Sequence, residues 1–116
     1  INNSILKKKN IKLFTDMYTS TIDVKNCAKL LVKLAIKKSS GIYNLGSKDV
    51  LSKKEFALKF SKKIKKKIKF KDVSCETLLV KRGKKLGLNV NKIEKKLGIK
   101  MPNSNRVIYN LVNEYK

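Results

Sequence analysis

Only three short apolar segments of this chain read as strands: Ile11 with Leu13 and Phe14, residues 42–45, and Ile68 with Phe70. The second lacks clean alternation, as strands buried on both faces do. The third alternates with Lys, as a half-exposed strand does. Three such strands cannot complete a sheet, because apolar strands need neighbours on both edges. Amphipathic helices separate them, in the order β-α-β-α-β-α-α. The chain is therefore α/β, with short strands that complete a larger α/β protein. It begins at Ile1 rather than Met, so an N-terminal part is expected to precede it. Residues 1–9 read as the tail of a helix.

The helices carry explicit start and stop signals. Asp23 is an N-cap, because its carboxylate can accept orphan backbone N–H groups. Behind it, Val24, Cys27, Ala28, Leu31, Leu34 and Ala35 form an apolar stripe. Lys25, Lys29, Lys33 and Lys37 lie away from that stripe. Gly41 suits the left-handed position past the helix end. Ser52 and Glu55 form a capping box, followed by Phe56, Ala57, Phe60 and Ile64 on one face. The lysines at 65–67 close that helix. Residues 15–20 and 72–88 read as irregular. A short helix from about Val90 turns Ile93 and Leu97 inward and ends at Gly98. Ser104 reads as the cap of a last helix, with Val107, Ile108, Leu111, Val112 and Tyr115 on its apolar face.

Composition removes several function classes. There is no His, so no Ser-His-Asp triad, Cys-His pair or His-based metal site exists. The two Cys cannot build a zinc finger or a disulfide framework. No run approaches the roughly 18 apolar residues of a membrane span, so no membrane partner is expected. The five glycines form neither Gly-x-Gly-x-x-Gly nor a P-loop. No Tyr-x-x-x-Lys pair occurs. Cys27, on the helix stripe, reads as a buried structural thiol, and Cys75 has no Cys-x-x-Cys partner. Reduced thiols fit a cytoplasmic location.

The net charge of +22 suggests a polyanion partner. Yet only Arg82 and Arg106 among the 30 basic residues are Arg. Nucleic-acid readers usually mix in Arg for its planar fork. Lys, Asn and Ile rise together while Ala is scarce, which points to a Lys-biased coding background. No specific nucleic-acid partner is expected. Against that background Arg82, beside Gly83 in a non-helical stretch, suggests a need for fork geometry toward a diphosphate or carboxylate. Asp16, in the loop after the first strand, either touches a ligand or pairs with a Lys.

Several motifs, in order, resemble the dTDP-4-dehydrorhamnose reductase family. Phe14-Thr15-Asp16 through Thr21-Ile22-Asp23-Val24, before the Ala28/Leu31 helix, resembles the family's Asp-containing loop and Pro-Thr pair, with Ser20-Thr21 in place of Pro-Thr. Gly41-Ile42-Tyr43-Asn44-Leu45-Gly46 is similar to its GIYHL/NxG strand. Leu51-Ser52-Lys53-Lys54-Glu55-Phe56-Ala57 is similar to its LSKYEFA helix start. Arg82, Leu88, Lys92, Leu97-Gly98-Ile99 and Pro102 follow its RPxxxxLxxxKLxxxLGIxxP tail, with Gly83 in place of Pro.

The resemblance implies that residues 1–116 are the C-terminal, substrate-binding part of a Rossmann-type extended short-chain dehydrogenase. The N-terminal Rossmann region would carry NADPH or NADH and the catalytic Tyr/Lys pair. The intact enzyme would reduce the 4-keto group of a dTDP-deoxysugar, and it allows a homodimer. Arg82 and Asp16 are the candidate substrate-binding residues. No catalytic, cofactor-binding or metal residue is expected in this part, and the part alone is expected to be inactive. A sugar-nucleotide epimerase or dehydratase fragment is the alternative within the enzyme class. A small basic nucleic-acid-binding module or a protein-interaction domain is the alternative outside it.

Overall fold

The computed structural model describes residues 10–114. Strands β1 (Ile11–Phe14) and β4 (Phe70–Val73) pair in parallel. In a second sheet, β2 (Tyr18–Thr19) lies between β3 (Leu51–Ser52), antiparallel to it, and β5 (Lys85–Leu86), parallel to it. Among the described residues four helices pack around these ribbons: α1 (Val24–Ile36), α2 (Lys53–Lys63), α3 (Asn91–Leu97) and α4 (Ser104–Glu114). A 3-10 turn spans Cys75–Thr77. The fold is α/β with short strands, as expected. The expected helix tail at 1–9 and the inward Tyr115 lie outside the described residues.

Two helix starts follow their local chemistry. Asp23 Oδ2 accepts the Asn26 N–H at 3.1 Å. At α2, Ser52 Oγ accepts the Glu55 N–H at 3.1 Å, and the Ser52 N–H donates to Glu55 Oε2 at 2.8 Å. Each arrangement satisfies donors that a helix start leaves orphaned. Helix α3 ends on Gly98 in the left-handed region, as expected.

Other elements differ from the sequence reading. Residues 42–45 form no strand among the described residues. Tyr43 and Leu45 pack on the core, but no strand lies alongside to complete a ladder. Side chains serve this backbone instead: Lys92 Nζ donates to the Ile42 carbonyl at 2.9 Å. The loop at 15–20 contains β2. The stretch 72–88 contains the end of β4, the 3-10 turn and β5. These short ladders form by pairing across the chain, which local propensity does not encode.

Helix α1 ends before Gly41, with Lys38 taking the left-handed position at φ 48°. The Ser39 N–H donates to the Leu34 carbonyl at 3.0 Å and Lys38 N–H to the Ala35 carbonyl at 2.9 Å, a Schellman motif. Helix α4 is capped by Asn103, whose Oδ1 accepts the Arg106 N–H at 2.9 Å. Ser104 is already helical. Its N–H and hydroxyl donate to Asp49 Oδ1 at 2.6 and 2.9 Å. That second acceptor frees Ser104 from capping and moves the start back one residue.

Among the described residues the core forms two clusters. Leu30, Leu34, Val90, Ile93 and Met101 form one, beneath α1 and α3. Phe60, Ile108 and Val112 form the other, between α2 and α4, with Ile11, Leu51 and Phe56 packed against it. The α1 face is rotated from its expected stripe. Leu30 and Leu34 are buried, while Val24, Leu31, Val32 and Ile36 are exposed. The apolar band of α1 is wider than one face, and contact with Val90, Ile93 and Met101 selects the Leu30/Leu34 edge. Cys27 is half-buried and Cys75 is the buried thiol, reversing the expected emphasis.

Candidate functional site

The two candidate residues sit on neighbouring loops. Asp16 stands in the turn between β1 and β2. Its Oδ2 accepts the Ser74 hydroxyl at 2.6 Å, and its Oδ1 accepts the Cys75 N–H at 2.9 Å. It thereby ties the β1–β2 turn to the start of the 3-10 turn that follows β4. Lys84 Nζ lies 3.9 Å from the same carboxylate and also pairs with Glu76. Of the two roles open to Asp16, pairing with a Lys is the one the geometry displays.

The electrostatics agree with that role. The Ser74 hydroxyl and then the Cys75 N–H hold the Asp16 carboxyl below its ordinary pKa. The hydrogen bond to Glu76 holds the Lys84 ammonium above its ordinary pKa. Burial, reinforced by Asp16, pushes the Cys75 thiol up. Cys75 therefore stays a thiol at neutral pH and is a poor nucleophile.

Arg82 is exposed, two residues before Lys84. No ion pair among the described residues involves it. The segment that carries it is anchored at its C-terminal end. The Tyr18 N–H donates to the Lys84 carbonyl at 2.7 Å, and β5 then pairs with β2. Leu79 and Val80 stand exposed on the N-terminal side of Arg82. The fold thus places a free guanidinium on a projecting loop whose base is fixed by Asp16 and Lys84.

Gly46 packs behind this region. A Cβ there would stand 3.0 Å from the Ser20 Cβ and 3.1 Å from its carbonyl oxygen. Ser20 Oγ also accepts the Leu88 N–H at 3.1 Å. The close approach lets the 46–49 turn support the loop after β2. The sequence reading missed Ser74, Lys84 and Asp49. For Ser74 a signal existed, since Ser two residues before Glu76 is a capping pattern, and its hydroxyl accepts the Glu76 N–H at 3.2 Å. Lys84 had none, being one Lys among many.

The described residues contain no cluster of His, Cys, Asp and Glu able to hold a metal ion, and no glycine-rich turn for a dinucleotide. No helix among them is long and apolar enough to cross a membrane.

No family model and no curated protein matches the sequence. Solved structures do match. A dTDP-4-dehydrorhamnose reductase from Bacillus anthracis, in complex with NADP, superposes with a TM-score of 0.88 at 20% identity, over 97% of this chain and 41% of that one. The chain has the fold of part of an extended short-chain dehydrogenase. The corresponding enzyme from Yersinia enterocolitica gives a TM-score of 0.85 at 13% identity, over 99% of this chain and 42% of that one. A UDP-glucose 4-epimerase from Bifidobacterium longum, in complex with NAD+ and UDP, gives 0.66 at 20% identity, over 90% of this chain and 34% of that one. The chain spans about two fifths of the length of the two reductases it matches.

Proposed function

We propose that this chain is the C-terminal, substrate-side part of an NAD(P)-dependent nucleotide-sugar reductase of the dTDP-4-dehydrorhamnose reductase type. The observation that carries the reading is the superposition over 97% of the chain on such a reductase. The sequence motifs support it independently, because they occur in the family's order. In the intact enzyme, the N-terminal Rossmann region would hold NADPH or NADH, which would supply the hydride chemistry at the C4 carbonyl of the sugar. A Tyr of the N-terminal Rossmann region, its pKa lowered by a Lys, gives the proton to the carbonyl oxygen. The residues here enclose the nucleotide-sugar.

Arg82 is assigned to the substrate diphosphate, where its planar fork can donate two hydrogen bonds. Asp16 is a positioning residue: through Ser74, Cys75 and Lys84 it fixes the base of the Arg82 loop. The exposed apolar face of α1 and the unpaired segment 42–45 dock against the Rossmann region, with 42–45 joining its sheet edge. The intact enzyme is placed in the cytoplasm, which suits its two free thiols, and a homodimer is its proposed assembly.

The test is an assay of the protein encoded with its upstream region. Reduction of a dTDP-4-keto-6-deoxysugar, followed by NADPH or NADH oxidation, is expected. Arg82→Ala is expected to raise KM about tenfold or more, the worth of a charged hydrogen-bond pair, with kcat largely kept. Epimerisation of a UDP-sugar without net cofactor oxidation would replace the reductase reading. An upstream region with neither a glycine-rich strand-helix turn nor Tyr-x-x-x-Lys would overturn both.

A further inference from the structure

A second, unassigned surface lies away from the Arg82 loop. An open groove of about 640 Å3 runs between α1 and α4, within the size range of small-molecule sites. Its rim carries Lys25, Lys29 and Lys33 from α1, Lys100 from the α3–α4 connection, and Arg106 from α4. Two carboxylates, Asp23 and Glu114, also line it. Both are already engaged. Glu114 pairs with Lys25 at 3.9 Å. Asp23 is 2% exposed and accepts from Asn26 N–H, Asn26 Nδ2 and Asn110 Nδ2 at 3.1, 2.9 and 3.2 Å. No ion pair among the described residues involves Lys29, Lys33, Lys100 or Arg106.

The groove has more than charge. Leu30 and Met101, both buried, lie at its floor beside Ile99 and Pro102. The Asp23 carboxylate fixes the amides of Asn26 and Asn110 at its wall. The Arg106 guanidinium lies 5.3 Å from the centre of the Tyr109 ring, a stacking contact that restrains it. Arg106 is one of only two arginines in a chain that otherwise uses Lys.

Helix geometry sets this groove beside the apolar band of α1. At about 100° per residue, Val24, Ala28, Leu31 and Ala35 share one side of α1. Lys33 lies opposite it, while the exposed Val32 and Ile36 fall on the same side of the helix as Lys25 and Lys29. A partner covering Val24, Leu31 and Ala35 leaves the Lys33 side of the groove open.

We propose that the α1–α4 groove binds a phosphorylated small molecule of nucleotide size, distinct from the substrate assigned to Arg82. Its phosphates meet Lys29, Lys33, Lys100 and Arg106. Its apolar body lies on Leu30 and Met101, with polar edges toward the asparagine amides. Cations without carboxylate partners suit a multiply charged phosphate, and the apolar floor distinguishes an organic phosphate from a bare anion.

The probes are ADP, tripolyphosphate and adenosine, added to 15N-labelled protein at about 150 mM salt, the physiological ionic strength. ADP is expected to shift the side-chain amides of Asn110 and Asn113 saturably, tripolyphosphate more weakly, and adenosine not at all. Lys33→Glu with Arg106→Glu is expected to weaken ADP at least tenfold. Lys62→Glu with Lys63→Glu on α2 makes the same change in net charge away from the groove and is expected to change it less than twofold. Lys33→Gln with Arg106→Gln serves if the charge-reversed pair fails to fold. Arg82→Ala is expected to leave these amide shifts unchanged, so loss of the substrate reading and loss of this one are separable. Equal weakening by both Glu pairs would show a diffuse field and overturn the proposal. So would shifts confined to the Arg82 loop, or saturation by a short RNA at lower concentration than ADP.

Discussion

Helix α4 buries Val107, Ile108 and Val112, and Leu111 packs beside them. Helix α1 buries Leu30 and Leu34 but leaves Val24 and Ile36 about three-quarters exposed, at 76% and 75%. Both helices are amphipathic and well capped. They differ in their partners. The face of α4 meets α2 and β1 within this chain, so its stripe and its buried side coincide. The band of α1 is too wide for the single cluster of Val90, Ile93 and Met101 on its inner side. An apolar face that its own chain leaves bare is the surface that the proposed Rossmann region would cover.

The largest expected effect tests that contrast directly. Ile108→Ala is expected to cost about 2–5 kcal/mol of stability, through lost transfer energy and a cavity. Leu31→Ala is expected to change it by no more than about 0.5 kcal/mol, as at a solvated surface. Urea unfolding of the two variants beside the parent measures both. Equal losses would break the comparison, because they would mean that α1 is packed on its outer face too. On the proposed reading, attachment of an N-terminal Rossmann region is expected to enlarge the Leu31→Ala loss by about 1 kcal/mol or more, from newly buried apolar area.

The same contrast explains what was legible in the sequence. Caps that depend on residues three apart were readable: Asp23 to Asn26 and Ser52 to Glu55 both appear as read. The α4 stripe was readable because one partner surface covers it. Residues 42–45 have the apolar content of a strand and lack the neighbour that would make them one. Strands β2 and β5, of two residues each, exist only because distant segments meet, and no local pattern announces them. At the candidate site, Arg82 was visible as an exception to the Lys bias. The Ser74, Cys75 and Lys84 contacts of Asp16 join residues nearly sixty or more positions apart, and lay beyond any spacing rule.

A smaller effect separates the Asp16 loop from the helical core. Its hydrogen bonds hold the Asp16 pKa below the ordinary value. The stabilisation is therefore fully present above the ordinary carboxylate range, and is lost as pH falls through the lowered folded pKa. Asp16→Asn is expected to flatten the fall in stability below about pH 4. At neutral pH it is expected to speed hydrogen exchange at the Cys75 and Tyr18 amides, while those of α4 stay protected. Faster exchange throughout α4 would show that the loop and the core are one cooperative unit.

The smallest effect concerns how the helices end. Helix α3 ends on Gly98 at φ 62°, and a Cβ built there meets nothing within 4 Å. Helices α1 and α2 place Lys38 at φ 48° and Lys65 at φ 56° in the corresponding left-handed positions. After α2, too, the Lys66 N–H donates to the Ser61 carbonyl at 3.1 Å and Lys65 N–H to the Lys62 carbonyl at 3.2 Å. All three ends therefore use a left-handed residue, and two carry a Cβ that strains it by about 1–2 kcal/mol. Glycine relieves that strain but loses more chain entropy on folding. The balance favours Lys38→Gly by about 0.5–1 kcal/mol, and Lys65→Gly by a similar amount. Gly98→Ala is the reverse experiment, with an expected loss of about 1 kcal/mol from backbone strain alone. Thermal unfolding of the three single variants reads all three signs. A gain at Lys65 without one at Lys38 would mean that the end of α1 is held by the following chain: Lys37 Nζ already donates to the Lys96 carbonyl at 3.2 Å, and that contact couples the end of α1 to α3. Gains at both would mean that the lysines at these helix ends reflect the coding bias of the chain and contribute no stability of their own.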